Sequence, residues 1–218
     1  MKVVLAQINP TVGALKNNAQ KIIEIIREHT PKCDLIIFPE MALTGYPPQD
    51  LLLDKSFIQK TQEVLNGIAS SVNSTAVIIG SIRKENHNLY NTAAVIQSGS
   101  VLAYRDKMHL PTYDVFDEVR YFTPSEFVEP VEVSVNGKSV KLGLQICEDL
   151  WDEEYETKVS KSLCNQGAEL LINISASPFH INRLNERIEL ICDKAKDLKC
   201  SFIYCNLVGA QDELVFDG

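Results

Sequence analysis

The chain has 218 residues and a mass of 24.4 kDa, a length that suits one domain. Its 29 acidic against 21 basic residues give a net charge of −8, the wrong sign for a nucleic-acid footprint or for an anionic membrane surface. A hydrophobic share of 45% argues against long disorder, and no apolar run approaches the ~18 residues that a membrane span needs.

From the N-terminus, Gln7 and Asn9 interrupt the apolar run of MKVVLAQINP too early for an export signal. VVLAQI (3–8) is apolar and β-branched, as a buried strand is. Leu15, Ala19, Ile22, Ile23 and Ile26 form one helical stripe. DLIIF (34–38) predicts a second strand, and Phe57, Ile58, Leu65 and Ile68 predict a helix over 55–69. AVIIGSI (76–82), TAAVIQ (92–97) and VLAY (101–104) are strand patterns. VEVSV-NG-KSVKLGLQI (131–146) is a hairpin pattern, because Asn-Gly suits a type I′ turn between alternating runs. Residues 153–166 have a helical pattern, ELLINIS (169–175) is a strand pattern, and Ile188, Ile191, Cys192, Ala195 and Leu198 give another helical stripe. SFIYCNLV (201–208) closes the series as a strand. Strands interleaved with helices, plus hairpins, imply a mixed α/β layered domain. The longest irregular stretch, 107–128, mixes aromatics with charges, and a long aromatic loop in a compact domain is usually functional.

In α/β sheets, ligands gather at the carboxyl ends of strands. The polar residues there are Glu40, then Arg105-Asp106-Lys107, then Cys147-Glu148-Asp149, then Ser175, Ser177 and His180. This set holds a carboxylate, an ammonium and a thiol. A thiol becomes a nucleophile when a neighbouring base takes its proton, and a lysine can hold a developing oxyanion. Each also has an ordinary reading: Glu40 and Lys107 as solvated loop ends, Cys147 as a small buried apolar residue. Spacing alone does not bring the three together.

Other patterns are set aside on physical grounds. GKS (137–139) resembles the end of a phosphate loop, but the glycine such a loop needs is Glu132 here. The acidic run from Glu148 to Glu156 reads as a helix start rather than a metal site, the four histidines share no ligand spacing, and Ser175 and Ser177 lie in no GxSxG elbow. The six cysteines include no CxxC pair, so zinc and dithiol redox chemistry lose their usual spacing. Without an export signal they read as reduced thiols of a cytoplasmic protein.

FPEMALTGYPPQDLL (38–52), YRDKMHLPTYDVFDEVRYF (104–122) and LQICEDLW (144–151) resemble the three signature blocks of the nitrilase, or carbon–nitrogen hydrolase, superfamily. GYPPQDLL, YDVFDEVRYF, ICEDLW, NISASPFH (173–180) and QDELVFDG (211–218) narrow the resemblance to the glutaminase domains of glutamine-dependent NAD synthetases. It runs from residue 3 to residue 218. The resemblance implies a four-layer α-β-β-α sandwich and a Glu-Lys-Cys triad on Glu40, Lys107 and Cys147. It implies a second active-site glutamate at Glu118 and substrate contacts at Tyr113, Ser177, Arg183 and Glu148. Tyr46 and Trp151 would shape the pocket, or else pack in the core. Where the family usually shows a glycine and then a lysine, this chain has Asn182 and Arg183, which keeps the charge with another shape.

The implied activity is hydrolysis of the L-glutamine side-chain amide, with ammonia passed to an NAD synthetase domain or subunit. The glutaminase step needs no metal or organic cofactor, whereas ATP and Mg would belong to the synthetase domain. Residues 1–218 would be the carbon–nitrogen hydrolase domain, truncated at its C-terminus, with no synthetase segment. Truncation of this kind implies an exposed sheet edge, and the family implies a homo-oligomer. Another small amide or carbamoyl compound as substrate, or an inactive interaction fragment, are the competing expectations.

Overall fold

Short apolar strands whose side chains alternate between two faces build two sheets, with helices on the outside of each. The computed structural model describes residues 1–218, apart from the side chain of Pro31. The first sheet takes β1 (Val3–Leu5), β2 (Leu35–Ile37), β3 (Ala76–Glu85), β4 (Asn88–Gln97) and β5 (Ser100–Asp106) in that spatial order. β1, β2 and β3 run parallel, and β4 and β5 join as antiparallel hairpins. The second sheet takes β6 (Val131–Val135), β7 (Lys138–Ile146), β8 (Leu170–Ser175) and β9 (Ser201–Asn206), with β7, β8 and β9 parallel.

Alternation along single strands defines the layers. Ile36, Val77, Ile79 and Ile96 face outward onto Ile22, Ile26, Leu65 and Ile68 of α1 (Leu15–His29) and α2 (Lys55–Ala69). Their neighbours Leu35, Ile37, Ile78 and Val95 face inward onto Leu142, Leu144, Ile172 and Ile174 of the second sheet. Leu171 faces outward again, onto Val159 and Leu163 of α3 (Val159–Asn165), with Leu198 of α4 (Arg183–Leu198) beside it. The order is therefore α-β-β-α, with the main apolar layer between the two sheets.

The Asn136-Gly137 turn has both residues at positive φ, as a type I′ hairpin demands. Elsewhere the structure departs from the pattern reading. The helix expected over 153–166 covers only Val159–Asn165, and short 3-10 turns occupy Cys147–Leu150 and Asp152–Glu154. The cause is Lys158, whose ammonium donates to the carbonyls of Asp152, Glu153 and Tyr155 at 2.6–2.7 Å. That fan of bonds closes a loop where a helix would need those carbonyls for itself. β3 and β4 are longer than expected and meet at a turn containing Asn86 at positive φ. The strand expected over 201–208 ends at Asn206, and a further hairpin follows, β10 (Val208–Gln211) with β11 (Leu214–Asp217). The hairpin folds back on the N-terminal segment, where the Val208 N–H donates to Ile8 O and the Val12 N–H to Gln211 Oε1. No helix among the described residues is long and apolar enough to cross a membrane.

Candidate active site

β2, β5, β7 and β8 all deliver polar residues at their carboxyl ends, and the two sheets aim these at one place. Glu40 follows β2 through Phe38 and Pro39 and is fully buried. The backbone around it rests on Gly80 of β3: a Cβ there would lie 2.1 Å from Pro39 O and 2.6 Å from Glu40 Cα, so only glycine leaves the space. Lys107 follows β5, and its amide donates to Asn91 O on β4 at 2.9 Å. Its ammonium, with no exposed surface, donates to Glu40 Oε1 at 2.9 Å and to Glu118 Oε1 at 2.8 Å.

Glu118 lies in a 3-10 turn of the long aromatic loop and also accepts from the Tyr46 hydroxyl at 3.0 Å. Asn91 adds a third donor: its side-chain amide lies 2.7 Å from Glu40 Oε1 and 3.5 Å from Glu118 Oε2. The other oxygen of Glu40 accepts the Ala176 N–H, just beyond β8, at 2.7 Å.

Cys147 follows β7 with φ of 46°, a left-handed conformation rare for a side chain of its kind. Met41, next to Glu40, shares that conformation, and such strain concentrates at active sites. Two carboxylates hold the turn after Cys147. Asp149 accepts from the Ile146 N–H at 2.9 Å and, with its other oxygen, from Met108 and His109 N–H at 3.1 and 2.8 Å. One side chain thus clamps the residue before Cys147 to the two residues after Lys107. Glu148 accepts from the hydroxyls of Tyr113 and Tyr155 at 2.8 and 3.1 Å.

The electrostatics follow from burial. Desolvation and the neighbouring Glu40 push the Cys147 thiol well above its ordinary range, against the pull of Lys107. Burial alone would lower Lys107, but Glu118 and Glu40 outweigh it and hold the ammonium above its ordinary value. Burial raises the Glu118 carboxyl, opposed by Lys107 and assisted by Glu40. The resting site therefore holds a protonated thiol beside a charged lysine and two carboxyl groups, so forming a thiolate there requires a base to take the thiol proton.

A pocket of about 80 Å³ opens onto Cys147 and is lined by Tyr113, Phe116, Glu148, Trp151, Ser177, Pro178 and Arg183. Arg183 lies over the Trp151 ring at 4.8 Å. Asn182, where the resembled family usually has glycine, sits at φ of 72° at the head of α4, a conformation Asn tolerates. Ser177 is fixed by Asn206, which accepts its N–H at 2.8 Å, and by Arg187, which donates to its carbonyl at 2.9 Å. Tyr46 lines a separate cavity of about 320 Å³ on the far side of Phe116, where Glu118 also reaches.

The site thus gathers Glu40, Lys107, Glu118 and Cys147, with Tyr113, Glu148, Trp151, Ser177 and Arg183 around the pocket. Other strand-end residues go elsewhere. Arg105 donates to the carbonyls of Glu129 and Pro130, Asp106 pairs with Arg83, Ser175 bonds Asn173, and His180 is exposed. Asp152, from the acidic run, pairs with Lys194. Sequence reading missed Asn91 and Arg187 as parts of this assembly, and it placed Asp149 at the strand end without its clamping role. For Asn91 the signal was an amide one place before the predicted strand, on its inward register.

Comparison with known proteins bears on the family and the fold. The model of the carbon–nitrogen hydrolase family matches residues 2–218. Glutamine-dependent NAD(+) synthetases of Aquifex aeolicus and Thermotoga maritima are each 41% identical over the whole chain, which spans 37% of their length. The solved glutamine-dependent NAD+ synthetase of Acinetobacter baumannii superposes with a TM-score of 0.90 at 34% identity, over all of this chain and 40% of that one. An amidase of Nesterenkonia sp. shares the fold, with a TM-score of 0.83 at 23% identity over all of this chain and 80% of its own. By family model, relatives and fold alike, this chain belongs to the carbon–nitrogen hydrolase family.

Proposed function

We propose that the chain hydrolyses the side-chain amide of L-glutamine through a thioester on Cys147 and supplies the ammonia to the synthesis of NAD. The observation that carries this reading is the pairing of a buried Glu40–Lys107–Glu118 cluster with a small pocket that presents Glu148 and Arg183 beside Cys147. Opposite charges in one pocket suit the ammonium and carboxylate of an amino acid. Tyr113, Ser177 and Trp151 complete the walls.

Glu40 takes the proton of the Cys147 thiol, and the sulfur attacks the amide carbon. Lys107 and the backbone N–H of Glu148 stabilise the tetrahedral oxyanion. The intermediate collapses with cleavage of the C–N bond, and Glu40 returns its proton to the leaving ammonia. Water, deprotonated by Glu40, then attacks the thioester carbonyl. Glutamate leaves, and Cys147 regains its proton. Glu118 holds Lys107 in place, and no metal or organic cofactor enters these steps.

The ammonia acceptor in this reading is a synthetase portion of the kind that the relatives' names state, with a cytoplasmic setting and self-association as parts of the same proposal. Ammonia release from L-glutamine, compared with Cys147→Ala and with short aliphatic amides, tests it. Release from glutamine that vanishes in the variant supports the reading. Release from the aliphatic amides instead would move the substrate class, and equal release by Cys147→Ala would overturn the mechanism. Sedimentation at several concentrations reads self-association separately.

A further inference from the structure

We infer that Asn91 is a positioning residue of this reaction, whose side-chain N–H holds Glu40 in place as the base and divides it from Glu118. The inference rests on the hydrolytic reading above and deepens it. Asn91 lies on β4 with its side chain on the inward face, in register with Ile82 and followed on that face by Ala93 and Val95. Asn is disfavoured in strands, and this one is 1% exposed. Its Oδ1 is buried with no hydrogen-bond partner among the described residues. A buried amide left half unsatisfied is destabilising, so packing does not explain it.

The contacts do. Two carboxylates and one ammonium share this space, and both carboxylates accept from the same lysine. Asn91 Nδ2 lies 2.7 Å from Glu40 Oε1 and 3.5 Å from Glu118 Oε2. The opposite flip would set Oδ1 against two acceptors, so the amide orientation follows from its neighbours. Glu40 Oε1 therefore has two donors, Asn91 and Lys107, and Oε2 has the Ala176 N–H. Three donors fix the plane of the carboxylate. The Asn91 carbonyl also receives the Lys107 N–H, so one residue sets the base through its side chain and the oxyanion lysine through its backbone. Asn91 does not line the pocket over Cys147, and it acts only through Glu40 and Lys107.

The test uses the full chain with two variants, Asn91→Asp and Asn91→Ser. Alkylation of Cys147 by iodoacetamide, followed by peptide mass spectrometry, reports thiol activation whether or not glutamine is the substrate. Asn91→Asp keeps the shape and replaces the donor by a third carboxylate. It is expected to slow alkylation at neutral pH by about 10- to 100-fold and to move the acid limb of the rate profile to higher pH. In glutamine hydrolysis kcat falls by a similar factor while KM stays within about threefold. Asn91→Ser is smaller but retains a hydroxyl donor, and is expected to react more slowly than the wild type but faster than Asn91→Asp; should the Asp variant not fold, a wild-type rate and pH profile in Asn91→Ser would overturn the inference. Wild-type alkylation rate and pH profile in Asn91→Asp would overturn the inference. So would a Ser variant slower than the Asp variant, since loss of packing would then explain the effect. Failure of the wild type to hydrolyse glutamine would sink the substrate reading alone, because the alkylation arm still decides the role of Asn91.

Discussion

Lys107 is a cation with no exposed surface, and its two carboxylate partners are what allow that. Removing one partner has a defined sign. Glu118 is the larger of the two influences that hold the ammonium above its ordinary range. In Glu118→Gln the high-pH fall in activity is therefore expected at a lower pH than in the wild type, with kcat reduced about 10- to 100-fold. A pH–rate profile of ammonia release checks both, and an unmoved alkaline limb would contradict the assignment. Arg187 makes a different kind of contribution. It is the one buried residue of α4 among those described, where the sequence pattern predicted an apolar stripe facing the core. Its guanidinium donates to Ser177 O, Pro178 O and Asp217 Oδ1 at 2.6–3.1 Å, while Leu184 and Ile188 of the same helix stand exposed. Arg187→Met frees the pocket wall, so a rise in KM larger than the fall in kcat is expected from steady-state kinetics.

Elements meet at this site through loops that follow strands, which is why so much of it was legible in the sequence. Cys147 directly follows the apolar end of β7, Lys107 follows β5 after Arg105 and Asp106, and Glu40 follows β2 after Phe38 and Pro39, and the signature blocks supplied Glu118, Tyr113, Ser177 and Arg183. What stayed hidden was partnership over distance. Glu40 and Asn91 are 51 residues apart, and Glu40 and Ala176 are 136 apart. A period-two pattern tells which face a residue occupies but not what stands opposite. The hairpins at 76–97 and 208–217 were missed in part because turns at Asn86 and Asp212 lack the Asn-Gly or Asp-Gly pair that marked 136–137. Two predictions belong to this scale. Gly80→Ala puts a methyl against the backbone of Pro39, Glu40 and Met41, so kcat is expected to fall at least about 10-fold while the thermal transition persists, and unchanged kcat would contradict that contact. Asp149 concerns stability. Burial lifts its carboxyl from 3.8 to about 7, against the pull of its backbone donors. The unfolded chain releases this proton first, so the contribution favours the fold below pH 4 and is lost as pH rises towards 7. Asp149→Asn removes that slope. The stability of the wild type relative to the variant should drop by up to about 1.4 kcal/mol per pH unit across that window, as read from urea unfolding at pH 5 and pH 7.

At the scale of the whole molecule, the four layers share the work unevenly. The outer helices cover the backs of the sheets, while the apolar layer between the sheets also sets where their ends meet. Asn91 lies on the first sheet, and Glu40 and Lys107 just beyond its strands, while Cys147, Ala176 and Ser177 lie just beyond strands of the second. Only a few bonds cross between those groups at the site, the Ala176 N–H to Glu40 and the Asp149 clamp on Met108 and His109 among them. Neighbouring residues on β3 give a matched comparison. Ile78 packs between the sheets and Ile79 against the helices, and both are fully buried. Each truncation to Ala is expected to cost about 2–5 kcal/mol. At a temperature where both variants remain folded, Ile78→Ala should lose more kcat than Ile79→Ala. Equal losses would show that the inner layer has no special bearing on the chemistry.

The Asp149 clamp couples the movements of Cys147 and Lys107. Because one carboxylate grips the backbone on both sides, the sulfur-bearing turn and the ammonium-bearing loop behave as a single jaw riding on β7 and β5. Glu40 closes on that jaw from β2. Since β5 and β7 lie in different sheets, sliding of one sheet past the other would have to strain that clamp and would carry Cys147 away from Lys107 and Glu40 together, like a vernier slipping a fraction of a division: each sheet stays intact, yet the graduations no longer coincide. Catalytic rate would become the finest available gauge of sheet alignment, falling under pressure or mild denaturant before spectroscopic signals of unfolding change.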